Sequence, residues 1–76
     1  MNFNNHLSDV IINIGTTCKN KRKHKGLTQL DLAFLSEVET STISKIERFA
    51  IDNVSLRTLV KISLILEIDI KDFFIN

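Results

Sequence analysis

The stretch TQLDLAFLSEVETSTISKIER, residues 28–48, determines how the rest of this 76-residue chain is interpreted. Its apolar residues recur at steps of three and four, which predicts two short amphipathic helices over about residues 28–36 and 40–48. Thr28 is a suitable N-cap for the first helix, and Asp31 occupies the position of a capping-box acid. The stretch therefore predicts two consecutive short helices joined by a brief turn.

Each predicted helix has an apolar side that we expect to face a common core. These inner residues are Leu32, Ala33 and Leu35 in the first helix, and Ile43 and Ile46 in the second. Val38, between the two helices, is expected to pack beneath the turn. The outer side of the second helix is polar and consists of Thr40, Ser41, Ser44, Lys45 and Arg48. This polar side is available to a partner.

The flanking sequence predicts three further helical segments, which makes five in all. The first covers about residues 7–24, with Ser8 as N-cap and Gly26 as the stop. The fourth covers residues 56–66 after Ser55, a loop lies at 49–54, and a last short helix covers 70–74. The inner stripe of the fourth helix is predicted to be Leu56, Leu59, Ile62, Ser63 and Leu66. Because strict apolar–polar alternation is absent, the chain is predicted to be an all-α single domain over residues 1–76.

Composition supports a folded protein of modest size. The chain is 43% hydrophobic and 25% charged, without proline, which argues against disorder. A single cysteine, Cys18, is expected to face the core and has no internal disulfide partner. No apolar run approaches the roughly 20 residues of a membrane span, and the N-terminus is not that of a signal peptide. We therefore expect a cytoplasmic protein.

Nothing in the sequence indicates catalysis. His6 and His24 are far apart, and Cys18 and His24 lie six residues apart on a predicted helix, on different faces. No metal-ligand spacing and no glycine-rich phosphate loop are present. The sequence thus predicts no enzyme, no cofactor, no metal and no small-molecule ligand.

The distribution of charge is uneven although the formal net charge is only +1. The basic residues Lys19, Lys21, Arg22, Lys23 and Lys25 fall close together, whereas Glu67, Asp69 and Asp72 lie near the C-terminus. Such segregation produces a positive face that suits nucleic acid. The alternative is a solvated helix end whose charges complement the helix dipole.

The runs KGLTQLDLA (25–33), STISKIER (41–48) and NVSLRTLVKISLIL (53–66) resemble the Cro and phage-repressor family of helix-turn-helix domains, also called Xre-type. The likeness covers about residues 10–74, and its specificity comes from several spaced elements that agree. It implies a five-helix Cro/repressor-like fold with the helix-turn-helix at about 28–48. It also implies a transcription regulator that binds operator DNA.

The resemblance assigns roles to individual residues. The second motif helix would lie in the major groove and read bases with Thr40, Ser41, Ser44 and Lys45. Phosphate contacts would come from Arg22, Lys23, Gln29, Arg48 and Asn53. Arg22 and Glu47 would form a structural ion pair. The alternatives are backbone contacts or plain solvation for the outer residues, ordinary helix-start polarity for Gln29, and two unconnected surface charges for the pair.

Three positions depart from the family pattern. Glu37 stands where the turn favours glycine, because that residue often needs a positive φ. Glu39 is a poor N-cap, and Phe49 replaces the glycine usual after the recognition helix. Glu37 implies some backbone strain or a slightly altered turn, and the two glutamates add negative charge near the side that would face DNA. The three changes together affect how the recognition helix is presented, but not the fold.

The C-terminal third is more apolar than one small core requires. Leu64, Ile65, Phe74 and Ile75 are predicted to form a homodimer interface, with the segments at 56–66 and 70–74 supporting dimerisation. A twofold dimer suits a palindromic operator and autoregulation. The alternative is a monomer with scattered surface hydrophobic residues.

The sequence leaves three kinds of regulator within the family as alternatives: a restriction–modification controller, a phage or mobile-element repressor, and an antitoxin. The loop at 52–56 favours the controller. A function of another class is a protein-interaction module that keeps the fold with weak or no DNA binding, and Glu37 and Glu39 are the features in its favour.

Overall fold

The computed structural model describes residues 2–75 as four α-helices followed by one turn of 3-10 helix. The α-helices are α1 (Phe3–His24), α2 (Gln29–Ser36), α3 (Thr40–Glu47) and α4 (Leu56–Leu66), and the 3-10 turn is Ile70–Phe73. No strand occurs within these residues. The all-α prediction is confirmed, but the count of five helices is not, because the last segment is only a 3-10 turn. None of the described helices is long and apolar enough to cross a membrane.

The start of α1 differs from the prediction. Asn2 is the N-cap, and its side-chain oxygen accepts hydrogen bonds from the backbone N–H groups of Asn4 (2.8 Å) and Asn5 (3.3 Å). Ser8, the predicted N-cap, is exposed inside the helix. The prediction was wrong because Phe3, four residues before Leu7, continues the apolar spacing by one more turn, and Asn2 is itself a favoured N-cap residue.

Each of the four α-helices is followed, within two residues of its last residue, by a residue with a left-handed backbone. The φ angles are 72° at Gly26, 58° at Glu37, 62° at Phe49 and 58° at Glu67. The turns are closed by backbone bonds such as Val38 N to Ala33 O, at 3.0 Å. Only glycine adopts this conformation without strain, so the strain expected at Glu37 is present.

The core lies between α1, α4 and the helical pair α2–α3. Its buried hydrophobic residues are Ile14, Cys18, Leu32, Ala33, Ile43, Ile46, Leu59, Ile62, Leu66 and Phe73. Val38 packs against this cluster, as the sequence predicts. The arrangement holds α3 against both α1 and α2 with one side outward.

Two leucines predicted to face inward are exposed. Leu35 is 49% exposed, because α2 is covered on the side of Leu32, Ala33 and Ser36. Leu56 is 69% exposed, because it is the first residue of α4 and the buried stripe begins one turn later at Leu59.

Candidate nucleic-acid interface

The two sides of α3 differ in burial and chemistry. Ile43, Ile46 and Glu47 are buried on the inner side. The outer side carries the predicted base-reading residues: Thr40, Ser41 and Lys45 are exposed, and Ser44 is half-buried. Ser41, Ser44, Lys45 and Arg48 recur at steps of three and four and so share one helix face. The structure therefore presents a continuous polar surface two helical turns long.

The N-terminal end of α3 has no side-chain cap. Glu39 is the N-cap residue, and its side chain accepts no hydrogen bond from the first turn. Its carbonyl oxygen accepts from the N–H groups of Thr42 (3.0 Å) and Ile43 (3.2 Å). This end of the helix is thus held by backbone bonds and by packing.

An ion pair joins α1 to the other end of α3. Arg22 Nε donates to Glu47 Oε2 at 2.8 Å, and Arg22 Nη2 donates to Glu47 Oε1 at 2.9 Å. Both residues are buried, with 7% of each exposed. Arg22 Nη1 also donates to the backbone carbonyl of Leu27, at 2.7 Å. The guanidinium group therefore links α1, the segment before α2, and α3 in one network.

Glu47 receives two further donors that sequence reasoning did not find. Gln29 Nε2 donates to Glu47 Oε1 at 3.1 Å, and Cys18 Sγ donates to Glu47 Oε2 at 3.5 Å. Burial raises the pKa of Glu47, but the hydrogen bonds from Arg22 and Gln29 and the guanidinium charge outweigh it, so the pKa lies below its ordinary value. Glu47 is consequently ionised near neutral pH.

The same surroundings disfavour the thiolate form of Cys18. Burial raises the pKa of Cys18, and the neighbouring Glu47 carboxylate raises it further. Because the thiolate is the nucleophilic form, a buried thiol beside a carboxylate suits a structural role. Cys18 thus belongs to the support of α3.

The predicted phosphate-contacting residues fall into two groups. Lys23, Arg48 and Asn53 are exposed. Gln29 is half-buried with its amide directed to Glu47, and Arg22 is buried with all three side-chain nitrogens engaged. The geometry thus brings Arg22 and Gln29 together at Glu47 on the buried side of α3, whereas the side chains of the other three are accessible to solvent.

Three of the four residues predicted for a dimer interface line two different grooves, and the fourth, Ile75, is exposed. Leu64 and Ile65 border a groove shared with the end of α2. Phe74 borders a second, apolar groove of about 220 Å³ between α1, the 51–56 segment and α4. Leu64, Phe74 and Ile75 are exposed, whereas Ile65 is half-buried.

An apolar stripe runs along α4 that was not predicted from the sequence. Leu56, Val60 and Leu64 are 69%, 43% and 71% exposed, and their four-residue spacing places them along one flank of the helix. The spacing was visible in the sequence, but Leu56 was assigned to the core.

A second feature that the sequence analysis missed is the close approach of α3 to α1. Gly15 lies in the middle of α1 and is buried against the carbonyl oxygen of Ile46 and the ring of Phe49. A glycine inside a long predicted helix was the available signal, since it often marks a close backbone contact.

Comparisons with known proteins agree with this geometry. A family model described as helix-turn-helix matches residues 19–73. A comparison with curated proteins finds no significant match. Among solved structures, the restriction–modification controller protein C.AhdI from Aeromonas hydrophila is 34% identical. That comparison covers 84% of this chain and 96% of C.AhdI, with a TM-score of 0.77.

Two structures of SinR are also similar. SinR, described as the master regulator for biofilm formation and solved in complex with DNA, is 34% identical over 82% of this chain and 98% of that one, with a TM-score of 0.78. A chain of the SinR/SinI protein complex is 35% identical over 79% of this chain, with a TM-score of 0.76, and the match spans 58% of that chain. Because the family model covers most of the sequence and the solved relatives share both fold and identity, the chain belongs to the Xre/Cro-type helix-turn-helix family.

Proposed function

We propose that this protein is a sequence-specific DNA-binding transcription regulator that binds a palindromic operator as a homodimer and regulates its own expression. The observation that carries the proposal is the polar, exposed side of α3. The opposite side of this helix is fixed to α1 by the buried Arg22–Glu47 ion pair. The likeness to C.AhdI, a restriction–modification controller, and to SinR, which was solved with DNA, supports it.

Base reading is assigned to the outer side of α3. Lys45 is exposed and is a suitable donor to guanine O6 and N7 in the major groove. Thr40 and Ser41 are exposed at the N-terminal end, where recognition helices contact base edges. Ser44 is half-buried and contributes at the margin of this surface. Lys45 is therefore the main determinant of sequence in this proposal.

Phosphate binding is assigned to the residues around α3. Lys23, Arg48 and Asn53 are exposed and supply affinity and register without much sequence information. Gln29 and Arg22 also hold α3 in place, because their side chains already bind Glu47. Their contribution to phosphate contacts is limited to the donor hydrogens that remain.

Dimerisation is assigned to the C-terminal third. The exposed stripe Leu56, Val60 and Leu64 on α4 reaches the apolar groove of Phe74 at Leu56 and the groove beside α2 at Leu64, where Ile65 also lies. Ile75 is exposed next to Phe74 in the chain. Apolar side chains exposed in this number favour a second copy of the chain, and a twofold pair presents two recognition helices to the two half-sites of a palindrome.

The experiment that tests DNA binding is a selection followed by titration. Duplexes selected from a randomised pool serve as the operator, a scrambled duplex of equal length serves as the control, and both are titrated over a series of salt concentrations. Operator affinity should fall steeply with salt, with a log–log slope of about −0.9 for each phosphate contact. Sedimentation velocity on the same samples should show two chains for each operator.

Two matched lysine variants separate the two kinds of contact. Lys45→Ala should reduce the ratio of operator to scrambled affinity, whereas Lys23→Ala should weaken both affinities alike and make the salt slope shallower by about 1. Equal effects of the two variants on the ratio would contradict the division between base-reading and phosphate-contacting residues.

The second candidate is a protein-interaction module with weak or no DNA binding. It is favoured by the exposed glutamates Glu37 and Glu39, which place negative charge at the N-terminal end of α3. If several rounds of selection from the randomised pool enrich no sequence, and no duplex binds in a salt-dependent way, the result would favour this module over the regulator. Genes that neighbour this one would distinguish a restriction–modification controller from a phage repressor or an antitoxin.

A further inference from the structure

The C-terminal end of α3 rests directly on the backbone of α1. A Cβ atom added at Gly15 would lie 2.4 Å from the carbonyl oxygen of Ile46 and 2.7 and 2.8 Å from the Cδ1 and Cε1 atoms of Phe49. These distances are far below van der Waals contact, so no side chain fits there. Gly15 therefore lets the end of α3 and the Phe49 ring approach α1 more closely than any other residue would allow.

Phe49 makes this contact in an unfavourable backbone conformation. Its φ is 62°, which a bulky residue rarely adopts and which a glycine would adopt without strain. The turn is closed by backbone bonds, Phe49 N to Ile46 O at 3.2 Å and Ala50 N to Lys45 O at 2.8 Å. Because these bonds do not involve the side chain, a glycine could close the same turn.

Core burial accounts for only part of what the ring does. Phe49 is 47% exposed, so about half of its surface contributes no burial free energy. One edge of the ring, at Cδ1 and Cε1, lies against Gly15 at the junction between α1 and the end of α3. The specific consequence of the ring is thus to fill that junction and fix the distance between the two helices.

The residues whose position depends on this junction are those proposed to contact DNA. The carbonyl oxygen of Lys45 accepts the hydrogen bond from Ala50 N that closes the turn at Phe49, and Arg48 is the C-cap of α3. The opposite end of α3 has no side-chain cap. The C-terminal end of this eight-residue helix is therefore fixed by the junction with Gly15 and by the Arg22–Glu47 pair, in addition to the packing that holds its whole inner side.

We propose that Phe49 is a positioning residue for sequence recognition: its ring, seated on Gly15, fixes the angle at which α3 presents Lys45. This inference rests on the proposed function. Base contacts require a helix held to within about 0.5 Å, whereas flexible lysines reach phosphates from many positions. Removal of the ring therefore weakens operator binding and leaves binding to scrambled DNA nearly unchanged.

The test compares Phe49→Gly with the matched control Glu67→Gly. Glu67 also has a left-handed backbone, at the C-cap of α4, so both variants relieve the same kind of strain, but only the first removes a ring from the junction between α1 and the end of α3. Glu67→Gly also removes an exposed ion pair with Lys25 (3.0 Å), so Glu67→Gln, which removes that pair and keeps the backbone strain, is measured beside it. Affinities for the selected operator and for a scrambled duplex are measured by fluorescence anisotropy, and urea unfolding verifies that each variant is folded. Gly15→Ala is a second variant that forces the same junction apart.

Phe49→Gly should lower the ratio of operator to scrambled affinity about tenfold, the discrimination that about one base contact supplies, while Glu67→Gly leaves it unchanged. Gly15→Ala should shift the ratio in the same direction. A folded Phe49→Gly protein whose ratio stays within twofold of wild type overturns the positioning role while the proposed function stands. A wild-type protein that does not discriminate overturns the proposed function and this inference with it.

Discussion

Replacement of Glu47 by glutamine should destabilise the fold severely. The substitution keeps the shape of the side chain but removes the charge that Arg22 meets at 2.8 and 2.9 Å. Arg22, only 7% of which is exposed, then remains charged and buried with no counterion. Loss of one partner from a buried pair costs about 3–5 kcal/mol.

That cost is large compared with the stability of so small a domain. At about 0.05–0.15 kcal/mol per residue, a chain of this size has a free energy of unfolding of about 4–11 kcal/mol. With a denaturant slope of about 1 kcal/mol per molar urea, the unfolding midpoint of Glu47→Gln should fall by about 3–5 M. Urea titration followed by circular dichroism measures the midpoint directly.

Two controls distinguish the buried pair from a general effect of charge. Glu39→Gln removes an exposed carboxylate whose side chain caps nothing, and it should change the free energy of unfolding by less than about 0.5 kcal/mol. The difference between the two variants should persist at about 1 M salt, because buried charges are screened weakly. A Glu47→Gln midpoint equal to that of Glu39→Gln would refute the reasoning.

A double-mutant cycle measures the coupling itself. Arg22→Met and Glu47→Met each leave one buried charge without its partner, whereas the double variant leaves none. The double variant should therefore be less destabilised than the sum of the single variants by about 1–3 kcal/mol. Strict additivity would mean that the pair is not energetically coupled, despite its geometry.

Three other predictions concern acid, capping and strain. The folded-state pKa of Glu47 lies below its ordinary value of 4.5, so the ionised group stabilises the fold above that pH and ceases to do so as pH falls through the folded-state pKa. Wild type should thus lose stability in acid more steeply than Glu47→Gln in pH-dependent urea titrations. Thr28→Ala removes the capping box with Asp31 and should cost about 1 kcal/mol in the same assay; no loss would mean that α2 does not need its cap. Glu37→Gly relieves a φ of 58° and should raise the free energy of unfolding by about 0.5–1 kcal/mol, and a decrease would contradict the strain.

Local sequence signals predicted the middle of the chain well. Both hydrogen bonds of the capping box at Thr28 are formed, each at 2.9 Å, and Ser55 accepts from Thr58 N at 3.1 Å as the N-cap of α4. These predictions held because a cap depends on residues within three or four positions. The partnership of Arg22 with Glu47, by contrast, came from the family resemblance, since the two residues lie 25 positions apart.

Features that depend on distant contacts were not predictable from periodicity. A helical pattern indicates which residues share a side, but not how much of that side a neighbouring element covers, and for this reason Leu35 and Leu56 were assigned to the core. The convergence of Cys18 and Gln29 on Glu47 depends on where three helices meet. Phe73, the largest fully buried side chain, follows α4 in a single 3-10 turn too short to show a period.

The support of α3 couples stability to recognition. The groups that fix its inner side, Arg22 and Glu47, are also the groups whose loss threatens the fold, so a fall in DNA affinity after their substitution would not by itself demonstrate a role at the DNA. Phe49 separates the two effects, because a glycine relieves its backbone strain while removing its contact with Gly15. Strain alone is not the signature of a binding role, since Glu67 shares it at the far end of α4. What distinguishes Phe49 is that its strained backbone places a ring at the junction that orients the polar side of α3.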